Sequence, residues 1–229
     1  MAPVGTMEPD SGSHMSPDSW IVEPARLDDL PRLAGMHVIP SLAGCLEAPR
    51  REPARWRYYR DKLALLWRLE PAGIFLVRVG GVPSGFMLMT GDVVANRRAV
   101  FASDHAWRMW FRLVSGRYGF RREMVERFAV LAGQGLGLLR VRRMASAPCR
   151  QRAHIFGGIV AEEERGRGIL KALHKHSGRY ARACGADRLS ANILPENLPA
   201  LAAARWIGFA EAGRSHEVPG DTIYLERTP

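Results

Sequence analysis

Two glycines separated by one arginine, Gly166 and Gly168, follow directly after an apolar stretch of the sequence. That stretch, His154 to Ala161, has the character of a buried strand, and an amphipathic segment begins at Ile169. A strand that enters a helix through glycines leaves the first backbone N–H groups of the helix unpaired, beside the positive end of the helix dipole. Glycine also lets a ligand approach the backbone closely. The pattern predicts a phosphate-binding turn, with a capped surface turn as the alternative.

A second block supports the first interpretation. Asn197 and Ala200 precede an apolar segment that is followed by Gly208 and Phe209. Together with Arg165-Gly166-Arg167-Gly168-Ile169-Leu170, this block resembles the GNAT superfamily of acyl-CoA N-acyltransferases. That family carries Arg/Gln-x-x-Gly-x-Gly/Ala at the start of its central helix, and later Asn-x-x-Ala, a helix and Gly-Phe. The resemblance is specific over residues 153–212 and looser over 20–92.

The resemblance implies an α/β (α+β) fold with a mixed, mostly antiparallel central sheet flanked by helices. The order of predicted elements agrees: strand, helices, hairpin, strand, glycine turn, helix, strand, helix, strand. The chain departs from the family between Gly91 and Arg152, where a long segment replaces what is usually a short connection. We therefore expect a helical insertion over about 93–152, between the third and fourth strands, within one domain covering 20–229.

Apolar spacing and turn residues predict where the individual elements lie. They are a strand over 20–24, a helix starting at 30–31, a helix over 53–69, a hairpin of 73–79 and 85–90 joined by 80–84, insertion helices over 104–115 and 121–140 with Asp104 as a candidate cap, a helix from 169 to 184–185, a strand over 188–194, a helix after 197, and strands over 209–213 and 222–226.

The resemblance also implies acetyl-CoA, or another acyl-CoA, as cosubstrate, and no metal. Backbone N–H groups of the turn would hold the diphosphate, and those near Ile159 and Val160 would stabilise the oxyanion. The implied cofactor-binding residues are Gly158, Ile159, Val160, Arg165, Gly166, Arg167, Gly168, Ile169, Leu170, Lys171 and Asn197. The glutamates at 162–164 are expected to face solvent.

The sequence departs from the family at the groups that usually transfer protons. Family members commonly have a tyrosine seven residues after the motif asparagine and some have a glutamate five residues before it, but Ala204 and Asn192 stand there. We expect Asn192 to orient the amine or a water. His154 is the candidate replacement base, although a structural histidine is the more common interpretation. Asp104 and His105 are weaker candidates.

Energetics indicate that these departures do not abolish acyl transfer. Positioning two reactants contributes about 7–11 kcal/mol, and one oxyanion donor about 2.7–4 kcal/mol. A general acid or base contributes about a hundred- to ten-thousandfold in rate. Without a strong base the acceptor must arrive neutral, which favours a low-pKa primary amine such as that of an amino sugar, an amino acid or a secondary metabolite. The alternatives are a non-catalytic module that binds CoA or another anion, and acylation of an amine carried on RNA.

The insertion carries much of the positive charge. From residue 96 to residue 152 there are thirteen arginines against Asp104, Glu123 and Glu126, and the excess of ten equals the net charge of the whole chain. A solvated basic face, a lid over an anionic ligand and a nucleic-acid surface all remain open. Interleaved aromatics are expected to pack on the domain, although such a mixture also suits single-stranded nucleic acid. They are Trp107, Trp110, Phe111, Tyr118 and Phe120.

The remaining features set broad limits. No apolar run is long enough to span a membrane. Three widely scattered cysteines, Cys45, Cys149 and Cys184, suit a reducing cytoplasm. Residues 1–19 are predicted to be a disordered tail, and residues 12–15 have the form of an expression-tag remnant. The sequence leaves open whether the chain forms a homodimer.

Overall fold

The computed structural model describes residues 20–119, 151–218 and 220–229, with side chains described outside 214–221. The expected tail at 1–19 and the expected second insertion helix at 121–140 lie outside these ranges.

Seven strands form one sheet in the order β1-β2-β3-β4-β5-β7-β6. Every neighbouring pair is antiparallel except β4 and β5, which are parallel. This confirms the expected mixed, mostly antiparallel sheet. The strands are β1 (Val22–Pro24), β2 (Ile74–Val79), β3 (Val82–Thr90), β4 (Arg152–Val160), β5 (Arg188–Ile193), β6 (Ala210–Val218) and β7 (Gly220–Arg227).

The β2–β3 hairpin has a shorter turn than the sequence predicted. Gly80 and Gly81 alone form it, with φ of 56° and 81°, and this left-handed pair matches the twist of the strands. Strand β3 begins at Val82 and tolerates Pro83 because the register shifts between Val77 and Arg78, at a bulge.

Seven α-helices occur in the described residues. They are α1 (Leu30–Val38), α2 (Gly44–Arg51), α3 (Pro53–Leu69), α4 (Val93–Ala102), α5 (Asp104–Val114), α6 (Ile169–Ala183) and α7 (Leu198–Trp206). Helices α4 and α5 are the described part of the insertion. The sequence did not predict α2 or α4, and α2 contains Pro49, a residue that normally argues against a helix interior.

Two apolar clusters cover the two faces of the sheet. One is formed where α6 and α7 pack on strands β2 to β5 and β7 through residues such as Leu173, Leu201 and Leu189. The other joins α1 and α3 to β2 and β3 through residues such as Leu33 and Leu63. On the face covered by α1 and α3, polar residues continue along β4, β5 and β7, and this polar part of the face is where the site is built.

A buried carboxylate attaches the insertion to α3. Asp61 accepts hydrogen bonds from Arg112 at 2.5 Å and from Tyr118 at 2.6 Å. Burial acts to raise the pKa of Asp61, but the hydrogen bonds from Tyr118, Arg112 and Arg60 outweigh it and lower the pKa. The ionised carboxylate is therefore the stable form in this contact.

Two expectations for the insertion were wrong. Ser103, not Asp104, caps α5, because its hydroxyl accepts from the His105 amide at 3.2 Å. Trp107 and Phe111 do not pack down on the domain, since 59 and 66% of their surfaces are exposed, and Trp110 is 45% exposed. Phe120 lies outside the described residues. Tyr118 alone of the described aromatics in this set is buried. In the ranges that are described, no helix has both the length and the apolar character needed to cross a membrane.

Candidate functional site

The sheet opens between its two parallel strands. Strand β4 pairs with β5 only from Arg152 to Ile155, opposite Arg188 to Ala191. Beyond that point, β4 pairs with β3 alone and β5 pairs with β7 alone. The predicted site residues Gly158, Ile159 and Val160 all lie on the stretch of β4 that pairs with β3 but not with β5. The backbone N–H and C=O groups on the edge of β4 that faces away from β3 are therefore available to a bound molecule.

A bulge marks the point where the strands separate. The β3–β4 register shifts between Leu88 and Met89, and Phe156 has no partner across the ladder. Bulges end pairing and redirect the strand. A Cβ placed on Gly157, the next residue, would have no atom within 4 Å, so the cleft is open at this position.

The glycine turn lies directly after the opened stretch. Gly166 and Gly168 have φ of 80° and 82°, a conformation that favours glycine. Gly168 is the cap residue of α6 and provides no side-chain acceptor. The N–H groups from Gly166 to Lys171 consequently donate to no other described residue. A row of unpaired amides at the positive end of a fifteen-residue helix suits a phosphate or diphosphate.

Arg167 is held by its neighbours in the turn. Its carbonyl accepts from the Trp20 indole at 2.9 Å, its guanidinium lies 5.5 Å from the centre of the Trp20 ring, and it forms an ion pair with Glu164. Glu164 is therefore only 8% exposed, which corrects the expectation that all three glutamates face solvent. Arg165 is an exposed partner of Glu162 at 3.5 Å.

Leu170, the departure from the family motif, points back towards the sheet. Its Cδ1 lies 3.7 Å from the position that a Cβ on Gly158 would occupy, and it packs against the cluster under α6. The Leu170 side chain is thus accommodated by packing on the sheet beside Gly158. Ile169, its neighbour, is fully buried.

Two further predicted residues lie at the edges of the turn. The Lys171 ammonium is 4.8 Å from the centre of the Trp206 ring, which is 68% exposed. Asn197 caps α7, and its side chain accepts from the Ala200 amide at 3.3 Å. In this structure the Asn197 side chain therefore acts as the N-cap of its own helix.

A polar row lies on the face of the sheet opposite α6. Residues directly opposite on neighbouring strands share a face, and His154 pairs with Ser190, which pairs with Glu226. His154 Nδ1 is 2.9 Å from the Ser190 hydroxyl, and that hydroxyl donates to the Ala153 carbonyl at 3.0 Å. Nδ1 must then carry the proton, which leaves the lone pair on Nε2. Burial, together with Arg97 and Arg152, lowers the pKa of His154 to about 4.

Asn192 lies next along the same row, where β5 has left β4. Its Oδ1 is buried and has no hydrogen-bond partner in the described chain. Such an atom costs about 1–3 kcal/mol unless something satisfies it. The structure thus brings Asn192, His154 and the opened strand into one cleft.

Three residues of this row, Ser190, Tyr224 and Glu226, were not among the predicted site residues. Tyr224 lies opposite Asn192, and its hydroxyl donates to Glu226 at 2.6 Å. Burial and the hydrogen bond to Glu226 raise the pKa of Tyr224 to about 12. The signal was present in the alternation of polar and apolar residues over 222–226, which aligns Tyr224 with Glu226 on one face.

The weaker base candidates lie elsewhere. His105 contacts α3, with Nδ1 3.2 Å from Arg68 and Nε2 3.0 Å from the Asp61 carbonyl. Asp104 is exposed on α5. Within the described ranges, no three His, Cys, Asp or Glu side chains are grouped to hold a metal ion.

Known proteins share this architecture. The model of the acetyltransferase (GNAT) family matches residues 38–209. No curated protein matches the sequence. The crystal structure of SsHAT is similar at a TM-score of 0.60 and 26% identity, over 92% of this chain and 98% of that chain.

Two further solved structures have the same fold at lower identity. Naa20 from Chaetomium thermophilum, solved with a bisubstrate analogue, has a TM-score of 0.54 and 16% identity over 91% of this chain and 86% of its own. The NatC complex bound to Gag peptide and CoA has a TM-score of 0.52 and 15% identity over 92% of this chain and 98% of that chain.

The opened sheet, the glycine turn and the family match together define an acyl-CoA-dependent acetyltransferase. The chain belongs to the acetyltransferase (GNAT) family. Enzymes of this family use acetyl-CoA, which the resemblance had implied.

Proposed function

We propose that the protein transfers an acetyl group from acetyl-CoA to a low-pKa primary amine of a small molecule, by direct attack of the amine. The observation that carries this proposal is the buried, unpaired Oδ1 of Asn192 at the point where β4 and β5 separate. A primary amine has N–H donors that satisfy this oxygen, and the opened strand places the acceptor beside the main chain of β4.

The site residues take the following parts in this proposal. Amides from Gly166 to Lys171 hold the diphosphate, since they are unpaired at a helix N-terminus. Backbone N–H groups near Ile159 and Val160 hold the thioester oxygen as it becomes an oxyanion. Asn192 orients the amine. The N–C bond forms, the C–S bond breaks, and the amine proton leaves to solvent or to the departing thiolate.

The state of His154 supports a low-pKa acceptor. An imidazole whose pKa is about 4 is neutral at pH 7 and has its lone pair on Nε2, but it is a weak base. The acceptor must then be largely neutral before it binds. An α-amine with a pKa near 8 is about one-tenth neutral at pH 7, whereas a lysine amine near 10.4 is neutral in fewer than about one molecule in a thousand.

A matched pair of acceptors tests the substrate class. Thiol release from acetyl-CoA is measured at pH 7 with glycinamide or glucosamine, and with Nα-acetyl-lysine amide at the same concentration. We expect kcat/KM at least about tenfold higher for the first two, because their neutral fraction is larger. A preference for the lysine derivative would overturn the substrate class. Absence of both thiol release and coenzyme A binding would overturn the acetyltransferase proposal itself.

An amine carried on RNA is the second candidate acceptor. It is favoured by the exposed Trp107, Trp110 and Phe111, which share α5 with the exposed Arg108. Aminoacyl-tRNA added to the same assay tests it. If this candidate holds, the rate with aminoacyl-tRNA falls steeply between low and moderate salt while the rate with glycinamide does not.

The free thiols support a reducing compartment. Cys45 is buried and Cys184 is half-buried, and neither forms a disulfide with a described residue. We place the enzyme in the cytoplasm on this basis.

A further inference from the structure

The side chain of Tyr224 lies beside that of Asn192 on the polar face of the sheet. The two residues are directly opposite each other on β7 and β5. Residues in this relationship have Cβ atoms about 4.5–5.5 Å apart, so one small ligand can contact both side chains. Tyr224 and Asn192 are both half-buried.

The hydroxyl proton of Tyr224 is committed to a carboxylate. The hydroxyl donates to Glu226 Oε1 at 2.6 Å, and Arg152 forms an ion pair with the same oxygen at 3.3 Å. A phenol carries a single proton. Towards any further polar group, the Tyr224 oxygen can therefore act only as a hydrogen-bond acceptor.

The contact with Glu226 also makes the Tyr224 oxygen a stronger hydrogen-bond acceptor. A hydroxyl that donates to a charged group is polarised, and hydrogen bonds linked in this way strengthen one another. Burial and the hydrogen bond to Glu226 raise the pKa of Tyr224 to about 12, so the hydroxyl keeps its proton at neutral pH. Tyr224 is therefore poorly suited to protonate a departing thiolate.

Asn192 supplies a second hydrogen-bond acceptor next to the first. Its Oδ1 is buried and has no hydrogen-bond partner in the described chain. Buried polar atoms are normally satisfied, so this oxygen indicates a donor that arrives with a ligand. The two oxygens come from neighbouring strands at the point where β5 has separated from β4.

We propose that Asn192 Oδ1 and the Tyr224 hydroxyl oxygen together bind the two N–H groups of a primary amine, so that Tyr224 selects primary over secondary amines. This assignment rests on the proposed acetyl transfer. A neutral primary amine has one substituent, two N–H bonds and one lone pair on its nitrogen. When both N–H bonds are held, the lone pair has a single fixed direction, as direct attack on a thioester requires. Glu226 is a positioning residue, since it acts by holding the Tyr224 proton.

The two hydrogen bonds should act mainly on the chemical step. The nitrogen gains positive charge as it attacks the thioester, so its N–H groups become stronger donors. Interactions that strengthen in the transition state raise kcat rather than lower KM. Loss of the Tyr224 hydroxyl should therefore lower kcat more than it raises KM.

Two amines that differ by one methyl group test the assignment. Thiol release from acetyl-CoA is measured with glycinamide and with sarcosinamide, its N-methyl derivative, at the same pH. We expect kcat/KM at least about tenfold higher for glycinamide, because the secondary amine leaves one hydrogen-bond acceptor unpaired. Tyr224→Phe should lower kcat/KM for glycinamide about tenfold and reduce the glycinamide-to-sarcosinamide ratio by the same factor. Phenylalanine keeps the ring, so any steric effect of the methyl group is unaltered.

Tyr180→Phe is the matched control. The Tyr180 hydroxyl donates to Glu70, also at 2.6 Å, but near the end of α6 that is far from the glycine turn. This variant should leave the ratio of the two amines unchanged. Glu226→Gln should lower the ratio on its own but have no further effect in the Tyr224→Phe background, because it acts through Tyr224. On its own it also tests the assignment if Tyr224→Phe does not fold.

The remaining outcomes separate this assignment from the acetyl transfer itself. A ratio that Tyr224→Phe leaves unchanged overturns the role of Tyr224, as does equal activity of the wild type with both amines. An effect of Glu226→Gln that persists in full in the Tyr224→Phe background overturns the positioning role of Glu226. In each of these cases turnover shows that acetyl transfer stands. Absence of thiol release with both amines would overturn the acetyl transfer and this assignment with it.

Discussion

The imidazole of His154 lies with Nδ1 2.9 Å from the Ser190 hydroxyl, across the only parallel strand pair in the described sheet. Because Ser190 donates its own proton to the Ala153 carbonyl, the contact determines the histidine tautomer. Burial then holds the ring in its neutral form, with a pKa of about 4.

This neutral histidine predicts a loss of stability in mild acid. Between about pH 6.5 and 4 the unfolded chain binds a proton at His154 that the folded chain does not, so the free energy of unfolding rises with pH across this window and falls as the pH is lowered. His174 adds to the effect, since burial and Arg227 lower its pKa to about 3. Urea unfolding at several pH values should show that His154→Gln removes up to about 1.4 kcal/mol per pH unit of the slope.

The matched control for that slope is Ser190→Ala, which removes the hydrogen bond but no titrating group. It should shift the unfolding free energy with little change in its pH dependence. A wild-type slope that His154→Gln leaves unaltered between pH 6.5 and 4 would contradict a neutral His154.

Replacing Asn192 should lower activity without lowering stability. Replacing it with leucine removes a buried oxygen that has no partner, so the midpoint of thermal unfolding should stay the same or rise. The same change should lower kcat/KM for glycinamide by at least about tenfold, since one hydrogen bond that orients the amine is lost. The control is Glu196→Gln, a change of an exposed residue between β5 and α7 that should leave both quantities unchanged. Full activity in Asn192→Leu would remove this residue from the site.

The glycine turn can be tested against a turn of the same geometry. Gly166 and Gly81 have φ of 80° and 81°, and a Cβ at either position has no atom within 4 Å. Alanine at each should therefore cost a similar amount of stability, about 1–2 kcal/mol. Only Gly166→Ala should also weaken coenzyme A binding, measured by calorimetry. Equal affinities in the two variants would place the diphosphate elsewhere.

Asp61 controls the attachment of the insertion. Asp61→Asn leaves Arg112 without its carboxylate and weakens the hydrogen bond from Tyr118, so we expect a loss of about 2–4 kcal/mol in unfolding free energy or easier proteolysis near α5. Asp104→Asn changes an exposed aspartate of α5 and should have little effect. Equal stability of the two variants would show that the Asp61 contacts do not hold α5 in place.

Local patterns predicted strands β2 to β5 and β7 because each of them is apolar on at least one face and bounded by turn residues, whereas the polar strand β6 was predicted over only part of its length. Helix α2 escaped prediction because Gly44 and Pro49 both disfavour helix in isolation. Its burial comes from tertiary contacts, with Cys45 and Ala48 inserted beside α1 and α3. Tertiary packing overrides propensity in such a segment.

The sequence predicted only those parts of the candidate site whose residues are close together in the chain. The glycine turn is one continuous stretch, so the spacing of Gly166 and Gly168 was enough. The pairing of Tyr224 with Asn192 depends on strand register between distant parts of the chain, which a single sequence does not reveal. The fit of Leu170 against Gly158 is non-local in the same way.

A turn that binds its ligand through backbone N–H groups depends little on which side chains it carries. Binding requires the left-handed backbone conformation at Gly166 and Gly168. Any residue at position 167 that allows this conformation is acceptable. The affinity for coenzyme A should therefore tolerate substitutions between the two glycines but fall when either glycine is replaced.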